Sequence, residues 1–239
     1  MEELNYLLGY ENLKIYQHTD KFKFSLDAIL LANFVTINKN INRILDIGSG
    51  TGVIPLVLST KTFKHIDGIE IQKDIYDLSV KSIEYNELNE QISFINEDIN
   101  DWYKNIETDT YDVIICNPPY FNTKKEELLN DSNNKKISRH ELTLTIEQIM
   151  IVSRKLLKNN GVFAMVYRPD RLIDVFLLMR KYNIEPKKIQ YIYPKKTRAC
   201  NLILIEGTKN GNPGLKILEP LIIHKKNNEY TQQVNKYFK

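Results

Sequence analysis

Arg43-Ile44-Leu45-Asp46-Ile47-Gly48-Ser49-Gly50-Thr51-Gly52 is the stretch that decides the fold. Its first five residues read as a short buried strand. Three alternating glycines follow, and residues 53–60, with Ile54, Leu56, Val57 and Leu58, start a helix that tolerates Pro55 in its first turn. Strand, glycine turn and helix in that order bring backbone N–H groups up to a ligand at a helix N-terminus. His65-Ile66-Asp67-Gly68-Ile69-Glu70 reads as a second strand, and its carboxylate stands 24 positions after Asp46. An acid about 20 residues beyond such a turn is placed to grip ribose hydroxyls.

A later strand carries a second signal. Tyr111-Asp112-Val113-Ile114-Ile115-Cys116 is rich in β-branched residues and delivers Asn117-Pro118-Pro119-Tyr120 at its carboxyl end, the end at which open α/β sheets bind ligands. Two prolines fix φ twice, donate no N–H and push Asn117 toward an extended conformation. The turn is stiff, with its carbonyls left to accept. A side-chain amide oxygen beside a backbone carbonyl accepts both protons of a flat amino group, and Tyr120 offers a face for a ring. An ordinary Pro-Pro loop exit explains the same four residues, so the glycine turn carries the weight.

The rest of the chain supports an alternating α/β reading. After a polar lead-in, Phe22-Lys23-Phe24 alternates like a short strand and Ser25 stands at an N-cap; Leu26, Ile29, Leu30 and Phe34 recur at helical spacing, with Asp27 in the first turn and an end near Thr36-Ile37-Asn38. Residues 74–86 read as a helix and 92–95 as a third strand closed by Asn96-Glu97-Asp98. Asp98 either accepts from a ligand's amino group or caps the helix containing Trp102. Residues 121–138 form a long polar loop, of the kind that is usually functional or mobile, ended by Arg139-His140-Glu141. His140 is a substrate contact or a loop cap. A helix to about Leu157, a fifth strand over 161–167, a helix opened by Pro169 through Tyr182, and strands over 189–193 and 201–206 complete the pattern. Arg168 and Arg171 either meet phosphate or are solvated helix-start charges. Leu221-Ile222-Ile223 precedes a polar tail.

Composition sets limits. The 239 residues suffice for one large α/β domain, read as a 1–40 cap, a 41–208 core and a 209–239 extension. No apolar run approaches the ~20 residues of a membrane span, and the N-terminus lacks the pattern of a secretion signal. Cys116 and Cys200 are the only cysteines, and the four histidines lack paired ligand spacing, so a reducing cytoplasm and no structural metal are expected. Lys and Arg number 10 against 19 Asp and Glu over residues 1–115, 12 against 8 over 116–185, and 11 against 3 over 186–239. A protein whose active side meets a polyanion would show this split; biased Lys and Asn usage would also produce it.

A dinucleotide fingerprint starting at Gly48 needs its third glycine at 53, where Val53 stands; the third glycine is Gly52. With Asp46, the spacing is the D-x-G-x-G-x-G of S-adenosylmethionine methyltransferases. Joined to Asn117-Pro118-Pro119-Tyr120, it resembles an amino-group methyltransferase of the class I Rossmann-like fold. More closely, the chain resembles bacterial tRNA (adenine-N6)-methyltransferases that modify tRNA for valine beside the anticodon. That resemblance rests further on residues 17–27, on Arg139-His140-Glu141, on Tyr167-Arg168-Pro169-Asp170-Arg171-Leu172 and on Glu229-Tyr230-Thr231. Lys21 departs from it, since such proteins more usually have glycine before Phe22.

The resemblance implies a seven-stranded, mostly parallel sheet with helices on both faces, its last strand antiparallel. It implies S-adenosylmethionine as cofactor, with Asp46, Gly48 and Gly50 at the methionine end, Glu70 on the ribose hydroxyls, Asp98 near the adenine ring, and Phe24, Asp27, Ser49, Gly52, Ile71, Ile99 and Asn117 also on the cofactor. Asn117 and the Pro118 carbonyl would hold the target amine, with Pro119 stiffening the turn and Tyr120 stacking on a flipped base. Lys124, Lys125, Arg139, His140, Arg168, Arg171, Lys195, Lys196 and Arg198 are the candidate tRNA contacts. A monomer with neither membrane nor metal partner is expected. Ribosomal RNA is an alternative substrate, a glutamine side chain of a release factor another. DNA adenine methyltransferases usually bring a separate recognition domain, for which this chain has no room. A silent RNA-binding subunit is disfavoured by the intact turn and Asn117.

Overall fold

The computed structural model describes residues 2–18, 26–118 and 144–238. The expectations placed on Phe22, Phe24, Ser25, Pro119, Tyr120, the 121–138 stretch with Lys124 and Lys125, Arg139 and His140 lie outside these residues. The central sheet is built around β3 (Arg43–Ile47), which pairs in parallel with β4 (His65–Ile69) on one side and β6 (Tyr111–Cys116) on the other. β5 (Ile92–Ile95) continues in parallel beyond β4, and β7 (Leu157–Tyr167) beyond β6. β9 (Leu202–Lys209) runs antiparallel between β7 and β8 (Ile184–Lys195). β8 therefore points the same way as β3, and its carboxyl end shares their edge.

Alternation along the strands sorts side chains onto two faces. Val113, Ile115, Ala164 and Val166 pack with α1 (Leu26–Phe34), α2 (Val53–Ser59) and Ile83 of α3 (Lys73–Tyr85). Ile114, Cys116, Phe163 and Met165 pack on the other face with α4 (Ile99–Trp102), α5 (Ile146–Leu156) and α6 (Leu172–Lys181). Thr145 starts α5 with a capping box: the Gln148 N–H donates to Thr145 Oγ1, and the Thr145 N–H to Gln148 Oε1, satisfying donors that the first helical turn leaves open.

Several expectations are corrected. The lead-in is a β-hairpin, β1 (Glu2–Leu7) and β2 (Tyr10–His18). It docks on α3 through the Tyr16 N–H on Ser82 Oγ and the Lys14 N–H on Asn86 Oδ1, each 3.0 Å. The seven expected sheet strands are present, and two more, β10 (Lys216–Ile217) and β11 (Leu221–His224), add in parallel to β8. α1 stops at Phe34 because Glu206 accepts from the Thr36 N–H and hydroxyl at 2.8 and 2.9 Å. Pro169 opens a 3-10 turn, Pro169–Arg171, ahead of α6. β7 and β8 begin earlier than read, each accommodating a register shift, near Asp112 of its partner and at Pro186.

The chain after β11 folds back through α7 (Gln232–Asn235) to the hairpin turn. Gly9 has φ +79°, and a Cβ there would lie 2.1 Å from the Phe238 ring. Phe238 in turn meets Tyr230 edge to face. Gly9→Ala should therefore lower stability by about 1–3 kcal/mol in denaturant titration, through left-handed strain and overpacking. Combined with Phe238→Ala, the overpacking part should vanish, so the two losses should fall short of adding.

Candidate functional site

Three strand ends meet where the strand order reverses. Ile47 lies opposite both Ile69 and Cys116, so Gly48, Glu70 and Asn117 leave the sheet side by side. This crevice at the carboxyl edge is where open α/β sheets hold ligands. Gly48, Gly50 and Gly52 have φ of +68°, +57° and +89°, left-handed values that only glycine adopts cheaply. Above Gly48 and Gly50 a Cβ would meet nothing within 4 Å. The turn thus presents bare backbone to open space.

Hydrogen bonds hold the turn in that shape. The Ser49 N–H donates to the Ile69 carbonyl at 2.9 Å, and the Gly52 N–H to the Ser49 carbonyl at 3.0 Å. Glu70, only 6% exposed, accepts from the Gly50 N–H at 3.0 Å with Oε2 and from the Gln72 N–H at 2.9 Å with Oε1. Each carboxylate oxygen keeps a second acceptor site, so the group is fixed yet able to take ligand hydroxyls. Ile71 beside it is 51% exposed, an apolar surface at the site rather than in the core. Asn96 donates to the Glu70 and Ile71 carbonyls at 2.9 and 3.1 Å.

Asp46 is fully buried beneath the turn. Its Oδ2 accepts from Ser49 Oγ at 2.8 Å, while Oδ1 has no hydrogen-bond partner. Burial pushes its pKa up to about 7, the Ser49 bond opposing and the Glu70 charge adding to the rise. Burial also raises the thiol of Cys116, with Asp46 contributing. An orphaned buried carboxyl oxygen at the foot of a bare backbone turn is the kind of group a bound ligand satisfies.

The remaining candidates sort by position. Asn117 is half-buried and Pro118 buried at the end of β6. Asp98 caps α4, its Oδ1 accepting from the Asn100 backbone and side-chain N–H groups at 2.8 and 3.0 Å; Ile99 is buried behind it. Asp27 lies in the first turn of α1, which packs on α2, and faces a cavity bounded by β8, β9 and β11. Arg168 and Arg171 pair with Asp170 at 3.3 Å and Asp174 at 2.6 Å, so acids of their own helix start already hold them. Lys195, Lys196 and Arg198 form the β8–β9 turn, closed by the Arg198 N–H on the Lys195 carbonyl at 3.0 Å. Asn96 escaped the sequence reading as a site residue; its place directly after a short strand was the available signal. Among the described residues no group of three or more His, Cys, Asp and Glu is arranged to hold a metal, and no helix is long and apolar enough to cross a membrane.

A family model for the methyltransferase small domain matches residues 25–181. The chain belongs to that family. The resemblance read from the sequence is thus borne out at family level, and the protein is a methyltransferase of the class I Rossmann-like fold. Its curated relatives include the tRNA1(Val) (adenine(37)-N6)-methyltransferase of Flavobacterium psychrophilum, 24% identical over 85% of this chain and 86% of that protein. The protein of the same description from Bacteroides thetaiotaomicron is 24% identical over 98% of each chain. Among solved structures, a predicted O-methyltransferase of Agrobacterium tumefaciens superposes with a TM-score of 0.71 at 18% identity, over 88% of this chain and 94% of that one. Geranyl diphosphate C-methyltransferase of Streptomyces coelicolor, in complex with S-adenosyl-L-homocysteine, gives 0.57 at 9% identity over 76% and 79%. These two likenesses show the fold.

In this methyltransferase Asp46 has a consequence for stability. Its folded pKa of about 7 exceeds the ordinary 3.8, so the folded state binds more protons between those values. The stability tied to its proton is fully present below about pH 4 and lost as pH rises through 7. Asp46 should therefore lower the unfolding free energy of the ligand-free protein across this window, by at most on the order of 1.4 kcal/mol per pH unit, read from denaturant titrations at a series of pH values. Asp46→Asn should flatten that slope; a slope unchanged by the substitution would remove Asp46 as its source.

Proposed function

We propose that this protein transfers the methyl group of S-adenosylmethionine to N6 of an adenine in tRNA, the adenine at position 37 of the tRNA for valine. One observation carries the reading: the strand registers set the glycine turn between Asn117 on one side and Glu70 on the other, with Glu70 accepting from the Gly50 N–H, an arrangement that supports a cofactor cradle next to an amine seat. The names of the relatives support the choice of tRNA. We read the chain as one methyltransferase unit, since both termini join the cluster that α1 and α2 build on the sheet.

The residues fit the cofactor. Gly48, Ser49, Gly50 and Gly52 offer backbone to its methionine end, and Asp46 offers an unsatisfied buried oxygen to a cationic group nearby. Glu70 would accept from the ribose hydroxyls with its second acceptor sites, and Ile71, Asp98 and Ile99 would border the adenine ring. When bound, S-adenosylmethionine supplies a methyl group activated by its sulfonium.

The chain's part in the reaction is orientation. A nucleobase amine is a poor nucleophile because its lone pair is delocalised into the ring. Asn117 Oδ1 and the Pro118 carbonyl accept its two protons, favour a pyramidal nitrogen and aim the lone pair at the methyl carbon. Transfer would form the N–CH3 bond as the S–CH3 bond breaks and leave S-adenosylhomocysteine, and the nitrogen would release one proton to water, so no strong base is needed. Extruding the base costs a few kcal/mol; stacking on Tyr120 returns ~1–3 kcal/mol.

Two sets of variants test this. Glu70→Ala and Gly50→Val should weaken S-adenosylmethionine binding tenfold or more by calorimetry. Asn117→Ala should cut kcat by about 10²–10³ and keep cofactor affinity within a few-fold, with N6-methyladenosine in tRNA followed by nucleoside mass spectrometry. Near-normal turnover in Asn117→Ala, or the modified nucleoside appearing only in ribosomal RNA, would overturn the assignment.

A further inference from the structure

β11 runs parallel to β8, with Leu221 opposite Ile192, Ile222 opposite Tyr193 and His224 opposite Lys195. Both strands end at the carboxyl edge, so the segments after them, Lys195-Lys196-Thr197-Arg198 and His224-Lys225-Lys226, emerge together. Lys196, Arg198, Lys225 and Lys226 are exposed. Lys225 pairs with Glu229 at 3.0 Å, whereas Lys195, Lys196, Arg198 and Lys226 have no acidic partner among the described residues.

Between these segments and the first turn of α1 lies a cavity of about 160 Å³. Leu30, Ile192, Leu202 and Ile223 give it apolar walls, and Asn201 and His224 are polar members of its lining. Asp27 of α1 lines it too, and α1 packs on α2, the helix that follows the glycine turn. The His224 ring is held on both sides: Nδ1 lies 3.0 Å from the Asn228 carbonyl, and Tyr230 stacks on it at 5.1 Å. A carbonyl only accepts, so Nδ1 carries the hydrogen and Nε2 of the neutral ring is an acceptor. Asn201 adds a donor and an acceptor. Apolar walls, a few oriented polar groups and a rim of unpaired cations are what an unstacked base with its phosphates requires. Three strand spacings separate β8 from β6, about 14 Å at 4.7–4.9 Å each, a distance spanned by a short single-stranded segment.

We propose that this cavity is a second base seat, which takes an unpaired nucleobase flanking the methylated adenine while Lys195, Lys196, Arg198 and Lys226 hold the adjoining phosphates. This rests on the RNA reading above. With a flanking base held, the target base is presented to Asn117 by a strand anchored on both sides, and the seat acts on RNA affinity rather than on the methyl-transfer step.

The test uses the full chain and an anticodon stem-loop of the valine tRNA carrying adenine 37, together with four versions abasic at one of the two positions on either side of the target. Asn201→Leu and His224→Leu should each weaken stem-loop binding about tenfold and raise its KM in proportion. In both, kcat at saturating RNA should stay within about twofold, and S-adenosylhomocysteine affinity should not change. One abasic version should lose the same tenfold against the parent protein and lose nothing further against Asn201→Leu. Lys226→Ala should flatten the logarithmic salt dependence of binding by about 0.7–0.9. Parent-like RNA binding in both leucine variants, or losses that add in full for every abasic version, overturns the seat while leaving the methyltransfer reading intact. If the parent methylates neither the stem-loop nor tRNA, the substrate reading fails and takes the seat with it.

Discussion

Pairing between β3 and β6 in a single register is the constraint on which the site depends. Val113 and Ile115 face α1 and α2, and Ile114 and Cys116 face α5 and α6, all without exposed surface. Slipping β6 by one residue would exchange these sets between two differently shaped faces. The same slip would carry Asn117 out of line with Gly48. Core packing and site geometry are therefore one condition, met by the same four apolar side chains.

Two buried carboxylates lie under the crevice and are treated differently. Glu70 is held by backbone N–H groups of two segments, Gly50 and Gln72, which links the glycine turn to the start of α3. Asp46 has one serine hydroxyl and is pushed toward neutrality by burial. Acidic groups thus stand where a cationic cofactor is proposed, and the cations without an acidic partner among the described residues sit farther along the edge, beyond β7. A cofactor and a polyanion meeting at one edge would each find the complementary sign.

Much of this was legible in the sequence because it rests on local spacing. The turn at 48–52, Glu70 after the second strand and Asn117 after the fourth follow from short motifs, and each stands where the motif puts it. The N-terminal hairpin was missed although Leu13, Ile15 and Gln17 alternate inward along β2; charged and polar neighbours masked the period of two. β8 was read too short because Pro186 and two lysines interrupt its apolar pattern, and the structure absorbs the proline at a bulge. β10 and β11 are too brief to show any period, and their pairing with β8 comes from tertiary packing. The cavity beside His224 joins α1, β8, β9 and β11, and no spacing rule connects segments that far apart.

Closure of the Gly9 turn by Phe238 bears on how the protein is made. Synthesis proceeds from the N-terminus, and domains begin to organise as they emerge. β1 and β2 are made before α3, on which they dock, and the Phe238 ring that covers their turn is made after both. Until then the hairpin is a two-stranded ribbon, marginal by itself and open at both edges. Next among the described residues comes α1, whose first turn borders the cavity beside β8. A nascent chain can thus assemble the sheet around β3 before the ring that covers the hairpin turn has been made, a delay during which holding chaperones have an exposed ribbon to bind.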